Sequence, residues 1–126
     1  MDRKVLIVDD NPDQGKPLAM ILKLSGYDAE FVTSGPAALS WTRATIPGLM
    51  IVDLMMPGMS GLEVLREIRT NPRTRDVPVV IYSACSDESQ MARARHEGAA
   101  DYWVKVGLHI DEIRRRVETY FPDSVS

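Results

Sequence analysis

Val5-Leu6-Ile7-Val8-Asp9-Asp10 sets four consecutive apolar residues against two acids. A strand with one wet face alternates apolar and polar side chains, so an unbroken apolar run belongs to a strand covered on both faces. Leu49-Met50-Ile51-Val52-Asp53 repeats the pattern, again with an acid where the apolar run stops. Further strands are predicted at Ala29–Val32, Val77–Tyr82 and Tyr102–Val104. Between these runs the apolar period becomes helical. Leu18, Ile21, Leu22 and Ser25 share a face, with Asn11-Pro12 as the entry and Gly26 as the stop. Ala37-Ala38-Leu39 with Trp41 makes a second helix, closed by Ile46-Pro47-Gly48. Ser60 and Glu63 form a capping box for a third, whose Leu62, Leu65 and Ile68 face one way before Asn71-Pro72 ends it. Asp87–Glu97 is a fourth helix, stopped by Gly98, and Ile110, Ile113, Val117 and Tyr120 stripe a fifth.

Strictly alternating strands and helices imply an α/β fold with a parallel sheet, right-handed crossovers and helices on both faces. Five strands suit the flavodoxin-like order 2-1-3-4-5, in which ligands bind at the carboxyl ends of the strands near the switch between strands 1 and 3. One segment conflicts with its neighbours. Pro17 lacks an N–H and crowds the carbonyl of Asp13, and Gly15 stands one turn into the same helix. A kink or a late start is predicted there.

Composition narrows the function. The 126 residues fit one domain, placed at 1–122 with a short tail at 123–126. With 44% hydrophobic and 26% charged residues the chain is ordinary globular protein, neither disordered nor fibrous. Fifteen basic against eighteen acidic side chains leave a net charge of −3, which opposes direct nucleic-acid binding. A single cysteine, Cys85, forms no intramolecular disulfide, and with His96 and His109 it makes no ordinary structural zinc site. No apolar run reaches membrane-spanning length, and acids follow Val8 too soon for a signal peptide. A soluble, cytoplasmic domain is expected.

The carboxyl ends of the predicted strands carry Asp9 and Asp10, Asp53, Ser83 and Lys105. In the order 2-1-3-4-5 these ends adjoin, so polar residues from four crossovers converge. Carboxylates about 4 Å apart repel by about 4 kcal/mol at an effective dielectric of about 20. Protonation or a cation must relieve that crowding. All-oxygen ligands select a hard cation, and a few carboxylates suit Mg²⁺. A carboxylate beside such a cation can attack phosphorus, while an ammonium and a hydroxyl neutralise the oxygens of the transferred group.

On these residues the chain resembles the receiver domains of two-component response regulators. The resemblance runs from about Lys4 to Tyr120. It is carried by Val-Asp-Asp at 8–10, Asp-Leu-Met-Met-Pro-Gly-Met-Ser-Gly at 53–61, Ser-Ala at 83–84 and Gly-Ala-Ala-Asp-Tyr-Trp-Val-Lys at 98–105. It implies a phosphoacceptor at Asp53, with Mg²⁺ held by Asp9, Asp10, Asp53 and the backbone carbonyl of Met55. Lys105 and Ser83 would contact the phosphoryl oxygens. Tyr102 would be the switch aromatic, turning inward as Ser83 moves. The implied donor is a sensor histidine kinase or phosphotransfer protein, and the implied output is a protein target rather than an enzymatic turnover. Nothing resembling an output module follows Tyr120, so both a stand-alone regulator and a receiver excised from a longer chain stay open.

Some features depart from the family or admit simpler readings. Val106 stands where the family usually has a proline after the lysine, so a trans Lys105-Val106 bond and an altered loop are predicted. Met55 and Cys85 flank the phosphoryl site, and an apolar Met55 is expected to slow attack by water on a phosphoaspartate. A phosphorylation-independent pseudo-receiver is the alternative function, although it would usually have lost an acid or the lysine. An aspartate phosphatase is disfavoured because Met55, not an acid, stands two residues after Asp53. A flavin-binding protein is disfavoured by the lack of a phosphate-cradling loop after strand 1. Trp41 and Trp103 read as packing residues, the histidines as surface residues, Cys85 as inert, and Arg114-Arg115-Arg116 as a solvated or partner-facing row. Only Met91, Ala92 and Ala94 anchor the fourth helix, so it is the element expected to move, remodelling a face made by helix 4, strand 5 and helix 5. The same face is the expected site of any homodimer contact.

Overall fold

The computed structural model describes residues 3–122; the tail at 123–126 lies outside them. Elements follow in the order β1 (Lys4–Val8), α1 (Pro12–Leu24), β2 (Asp28–Val32), α2 (Gly35–Ala44), β3 (Leu49–Val52), α3 (Gly61–Thr70), β4 (Val79–Ser83), α4 (Glu88–His96), β5 (Asp101–Val104) and α5 (Ile110–Glu118). The strands form one sheet in the order β2-β1-β3-β4-β5, parallel at every pairing. This is the doubly wound arrangement that the sequence implies.

Strand periodicity divides the core in two. Leu6, Val8, Met50, Val52, Val79, Ile81 and Tyr102 point to one face, where Leu62, Leu65 and Ile68 of α3 and Ala94 of α4 cover them. Val5, Ile7, Ala29, Leu49, Ile51, Val80 and Trp103 point to the other, under Leu18 and Leu22 of α1 and Ile113 and Val117 of α5. Burial on both faces is why the central strands read as unbroken apolar runs.

The helix ends carry their own signals. Asn11 Oδ1 accepts from the N–H of Asp13, Ser34 Oγ from Ala37 and Ser60 Oγ from Glu63, each satisfying an orphan donor of a first turn. Gly26 and Gly98 end α1 and α4 at φ values of 96° and 108°, the left-handed region open to glycine.

Two local expectations need correction. Of the kink or late start expected in the first helix, the late start is not found: α1 begins at Pro12 and runs through Pro17 to Leu24. Pro17 and Asp13 are both exposed, so water can serve the carbonyl that Pro17 cannot. The fourth strand starts at Val79, two residues later than predicted, because Val77 and Pro78 belong to the entry turn. Pro78 has no N–H for a ladder, although its carbonyl still accepts from Met50. No cis peptide bond occurs among the described residues, so Lys105-Val106 is trans.

Candidate functional site

The register of the sheet builds the site. Val8 of β1 lies opposite Val52 of β3, so the residues that follow, Asp9 and Asp53, leave the sheet side by side. Backbone bonds continue past the strand ends, with Asp53 N–H donating to Val8 O at 2.8 Å and Asp9 N–H to Val32 O at 3.1 Å. Ser83 lies opposite Val104, and the N–H of Lys105 donates to Ser83 O at 2.8 Å. Four adjacent crossovers thus deliver their polar residues to one edge of the molecule.

Period-two alternation then sorts them. Asp9, Asp53, Tyr82 and Lys105 continue the series that faces α1 and α5, whereas Ser83 and Tyr102 belong to the series facing α3 and α4. On the first side, carboxylate oxygens of Asp9, Asp10 and Asp53 all lie within 4.8 Å of one another. Lys105 Nζ is 2.8 Å from Asp9 Oδ2 and 3.5 Å from Asp53 Oδ2, and it also donates to Gln14 Oε1. Below it, the Tyr82 ring centroid lies 5.4 Å from Nζ. Asp9 is buried and its Oδ1 accepts from the N–H of Asn11 at 3.0 Å, while Asp10 is exposed at the rim.

Burial raises the pKa of the Asp53 carboxyl, with the Asp9 charge adding to the rise. The Lys105 ammonium and the Met55 N–H, 3.3 Å from Asp53 Oδ1, pull it back. One ammonium, paired with Asp9 and Asp53 only, leaves negative charge uncompensated among the three acids. A donor set of carboxylate oxygens, partly buried and mutually close, fits a hard divalent cation such as Mg²⁺.

The second side forms a separate small network. Tyr102 is buried, and its hydroxyl donates to the carbonyl of Cys85 at 2.7 Å. The Ser83 hydroxyl, also buried, accepts from the N–H of Cys85 at 3.2 Å. Burial, reinforced by the side chain of Cys85, pushes the Tyr102 phenol up to about 12. The expected inward position of this ring is therefore already occupied in the structure.

Glycines allow the close approaches. A Cβ on Gly61 would fall 2.3 Å from the carbonyl oxygen of Asp53, so only glycine lets the loop after β3 fold back onto the acid. On Gly15 it would meet Phe31 Cδ2 at 3.1 Å and Asp9 Cβ at 3.5 Å. The residue that looked out of place in α1 is thus what seats the helix against Asp9.

Residues 5–118 match the family model of the response regulator receiver domain. The chain belongs to this family. Among its relatives, the DNA-binding response regulator MtrA of Mycolicibacterium smegmatis is 34% identical over 105 residues, covering 83% of this chain and 45% of MtrA. Response regulator PleD of Caulobacter vibrioides is 31% identical over 105 residues, covering 83% of this chain and 23% of PleD. The receiver thus spans less than half the length of these relatives. Solved structures agree. The receiver domain of a signal transduction histidine kinase from Syntrophus aciditrophicus superposes with a TM-score of 0.86 at 30% identity, covering 97% of this chain and 92% of that one. Response regulator TrrA from Thermotoga maritima, solved in complex with Mg²⁺-BeF, gives 0.82 at 31% identity, covering 95% and 99%.

Of the receiver residues singled out in the sequence, Asp9, Asp10, Asp53 and Lys105 meet in one cluster, while Ser83 and Tyr102 share the adjoining network through Cys85. Gln14 and Tyr82, which also contact Lys105, were not anticipated. Position 82 was legible only as a strand residue, and Gln14 only as one polar residue on an exposed helix turn. Other expectations hold: Trp103 is buried, both histidines are exposed, and Arg114, Arg115 and Arg116 pair with Asp111 or Glu112.

Proposed function

We propose that this receiver takes a phosphoryl group onto Asp53 from the phosphohistidine of a sensor histidine kinase or phosphotransfer protein. The observation that carries this reading is the meeting of three carboxylates within 4.8 Å with a lysine ammonium 3.5 Å from one of them. Asp9, Asp10, Asp53 and the backbone carbonyl of Met55 would hold Mg²⁺. When bound, the ion offsets negative charge at the carboxylates and on phosphoryl oxygens. The relative TrrA, solved in complex with Mg²⁺-BeF, supports the same assignment.

A carboxylate oxygen of Asp53 attacks phosphorus, the P–N bond of the donor breaks, and its electron pair returns to the imidazole. Lys105 neutralises one phosphoryl oxygen, and the Ser83 hydroxyl donates to another after leaving the Cys85 N–H. That departure loosens the Ser83-Cys85-Tyr102 network. Because Tyr102 already lies inward, switching would act through this network rather than through a full swing of the ring. The output would be a changed face of α4, β5 and α5, open to a target protein or a second copy of the chain. We place the domain at 1–122, in the cytoplasm, acting as a phosphoryl acceptor rather than as an enzyme. Among the described residues no helix is long and apolar enough to cross a membrane. The ion-paired arginines of α5 offer no free basic row to nucleic acid. No structural observation favours the pseudo-receiver reading.

Incubation with Mg²⁺ and acetyl phosphate followed by intact-mass measurement tests the proposal. One added phosphoryl group, absent in Asp53→Asn, is the expected result. An unchanged mass with several donors would instead support a constitutive interaction module.

A further inference from the structure

Lys105 has an acceptor that plays no part in the scheme above. Its ammonium carries three N–H donors. Asp9 Oδ2 and Gln14 Oε1 are its close partners, and Asp53 Oδ2 is the distant one at 3.5 Å. The chain after Lys105 does little to aim it. Val106 is 79% exposed, Gly107 has φ 83° and open space on its side-chain side, and Leu108 N–H reaches Lys105 O at only 3.4 Å. Gln14 is anchored far better. It sits on the first turn of α1, its N–H donating to Asn11 O at 3.0 Å, beside the buried Gly15 that seats the helix on Asp9.

We infer that Gln14 is the positioning residue for Lys105, its side-chain amide oxygen holding the ammonium so that the remaining N–H serves Asp53 and a phosphoryl group there. Asp9 alone is a poor anchor for this purpose, because it also belongs to the carboxylate cluster. Oxygens drawn to a cation have less to give the lysine. The neutral amide of Gln14 stands outside that cluster and keeps its oxygen for Lys105. A rigid helix thereby does what the open turn at 106–107 does not. The inference rests on the functional reading above and adds a residue to it.

A double-mutant cycle on the full chain tests the inference, with acetyl phosphate as donor and Mg²⁺ present. Gln14→Ala should slow phosphoryl uptake about tenfold, the usual scale for losing one hydrogen bond to a charged group. Gln14→Glu, which restores an acceptor oxygen, should recover most of the rate. In a Lys105→Ala background Gln14→Ala should change nothing further. Equal losses in both backgrounds, or an undiminished rate in the single variant, would overturn the inference. A second readout needs no phosphorylation: the Lys105 ammonium protons, followed by ¹⁵N NMR, should exchange with water several-fold faster in Gln14→Ala. Unchanged exchange would overturn the inference as well. A wild-type chain that takes up no phosphoryl group would count against the functional reading, and the exchange rate would then decide on Gln14 alone.

Discussion

A methyl group on residue 61 would collide with the backbone of Asp53, the proposed phosphoacceptor. Because the clash is with Asp53 O and Leu54 Cα, not with a flexible side-chain tip, the loop itself must shift. Gly61→Ala is therefore predicted to destabilise the fold by about 1–3 kcal/mol in guanidinium unfolding, and to slow phosphoryl uptake. Tyr102 makes a different prediction. With its phenol held near 12 in the folded chain, it stays neutral where an unfolded tyrosine ionises near 10. Its contribution to stability is complete below that unfolded value and is lost as pH rises toward the folded one. Tyr102→Phe should flatten the fall in stability between roughly pH 10 and 12, measured by urea unfolding. The Tyr82 and Tyr120 phenols, also raised by burial, leave part of the slope in place. Beside the acid cluster, Met55 is 68% exposed and offers no polar atom of its side chain to orient water. Met55→Asn should shorten the lifetime of phosphorylated Asp53 several-fold, followed by loss of the phosphoryl mass with time. The acids were legible in the sequence because each breaks an apolar run, and Lys105 because it closes the last one. Gln14 was not, since a polar residue on an exposed helix turn carries no periodic signal.

α3 and α4 show how differently two helices of one face are held. Five residues of α3 are buried, whereas α4 buries only Ala94. Arg66 ties the end of α4 through Glu97 at 3.1 Å, and Arg69 reaches across to Gly98 O and Val77 O. The amino-terminal end of α4 has no such hold, because Asp87 makes no side-chain cap and instead accepts from Ser89 Oγ. Amide exchange should therefore be fastest within Glu88–His96 and slowest in the central strands, and a beryllofluoride adduct should alter it in α4 and β5. Identical exchange with and without the adduct would remove α4 from the switch. The weakness of α4 was readable from its sparse apolar content. Arg69 was not, because a guanidinium spanning three chain segments depends on how those segments meet. Likewise the uninterrupted course of α1 through Pro17 depends on which way that residue faces.

At the scale of the whole molecule, parallel order and burial on both sheet faces fix where polar residues can stand. Their apolar runs end together at one edge, so acids that follow them in the sequence become neighbours in space. That step from pattern to position was legible, and the side chains supply the energetic consequence. Mg²⁺ that binds only the folded chain should stabilise it by about 2.7 kcal/mol at a hundred times its dissociation constant. Asp53→Asn should lose much of that gain while being the more stable protein without the ion, because one crowded charge is gone. Thermal unfolding of both proteins with and without Mg²⁺ checks the pair of outcomes. The most direct measurement identifies the residue that receives phosphorus. After reaction with a phosphohistidine donor and Mg²⁺, borohydride reduction converts an acyl phosphate to homoserine, which peptide mass mapping then locates. Conversion at position 53 alone, and only with Mg²⁺ present, is the predicted result. Conversion at another acid, or none while phosphate sits elsewhere in the chain, would contradict the account.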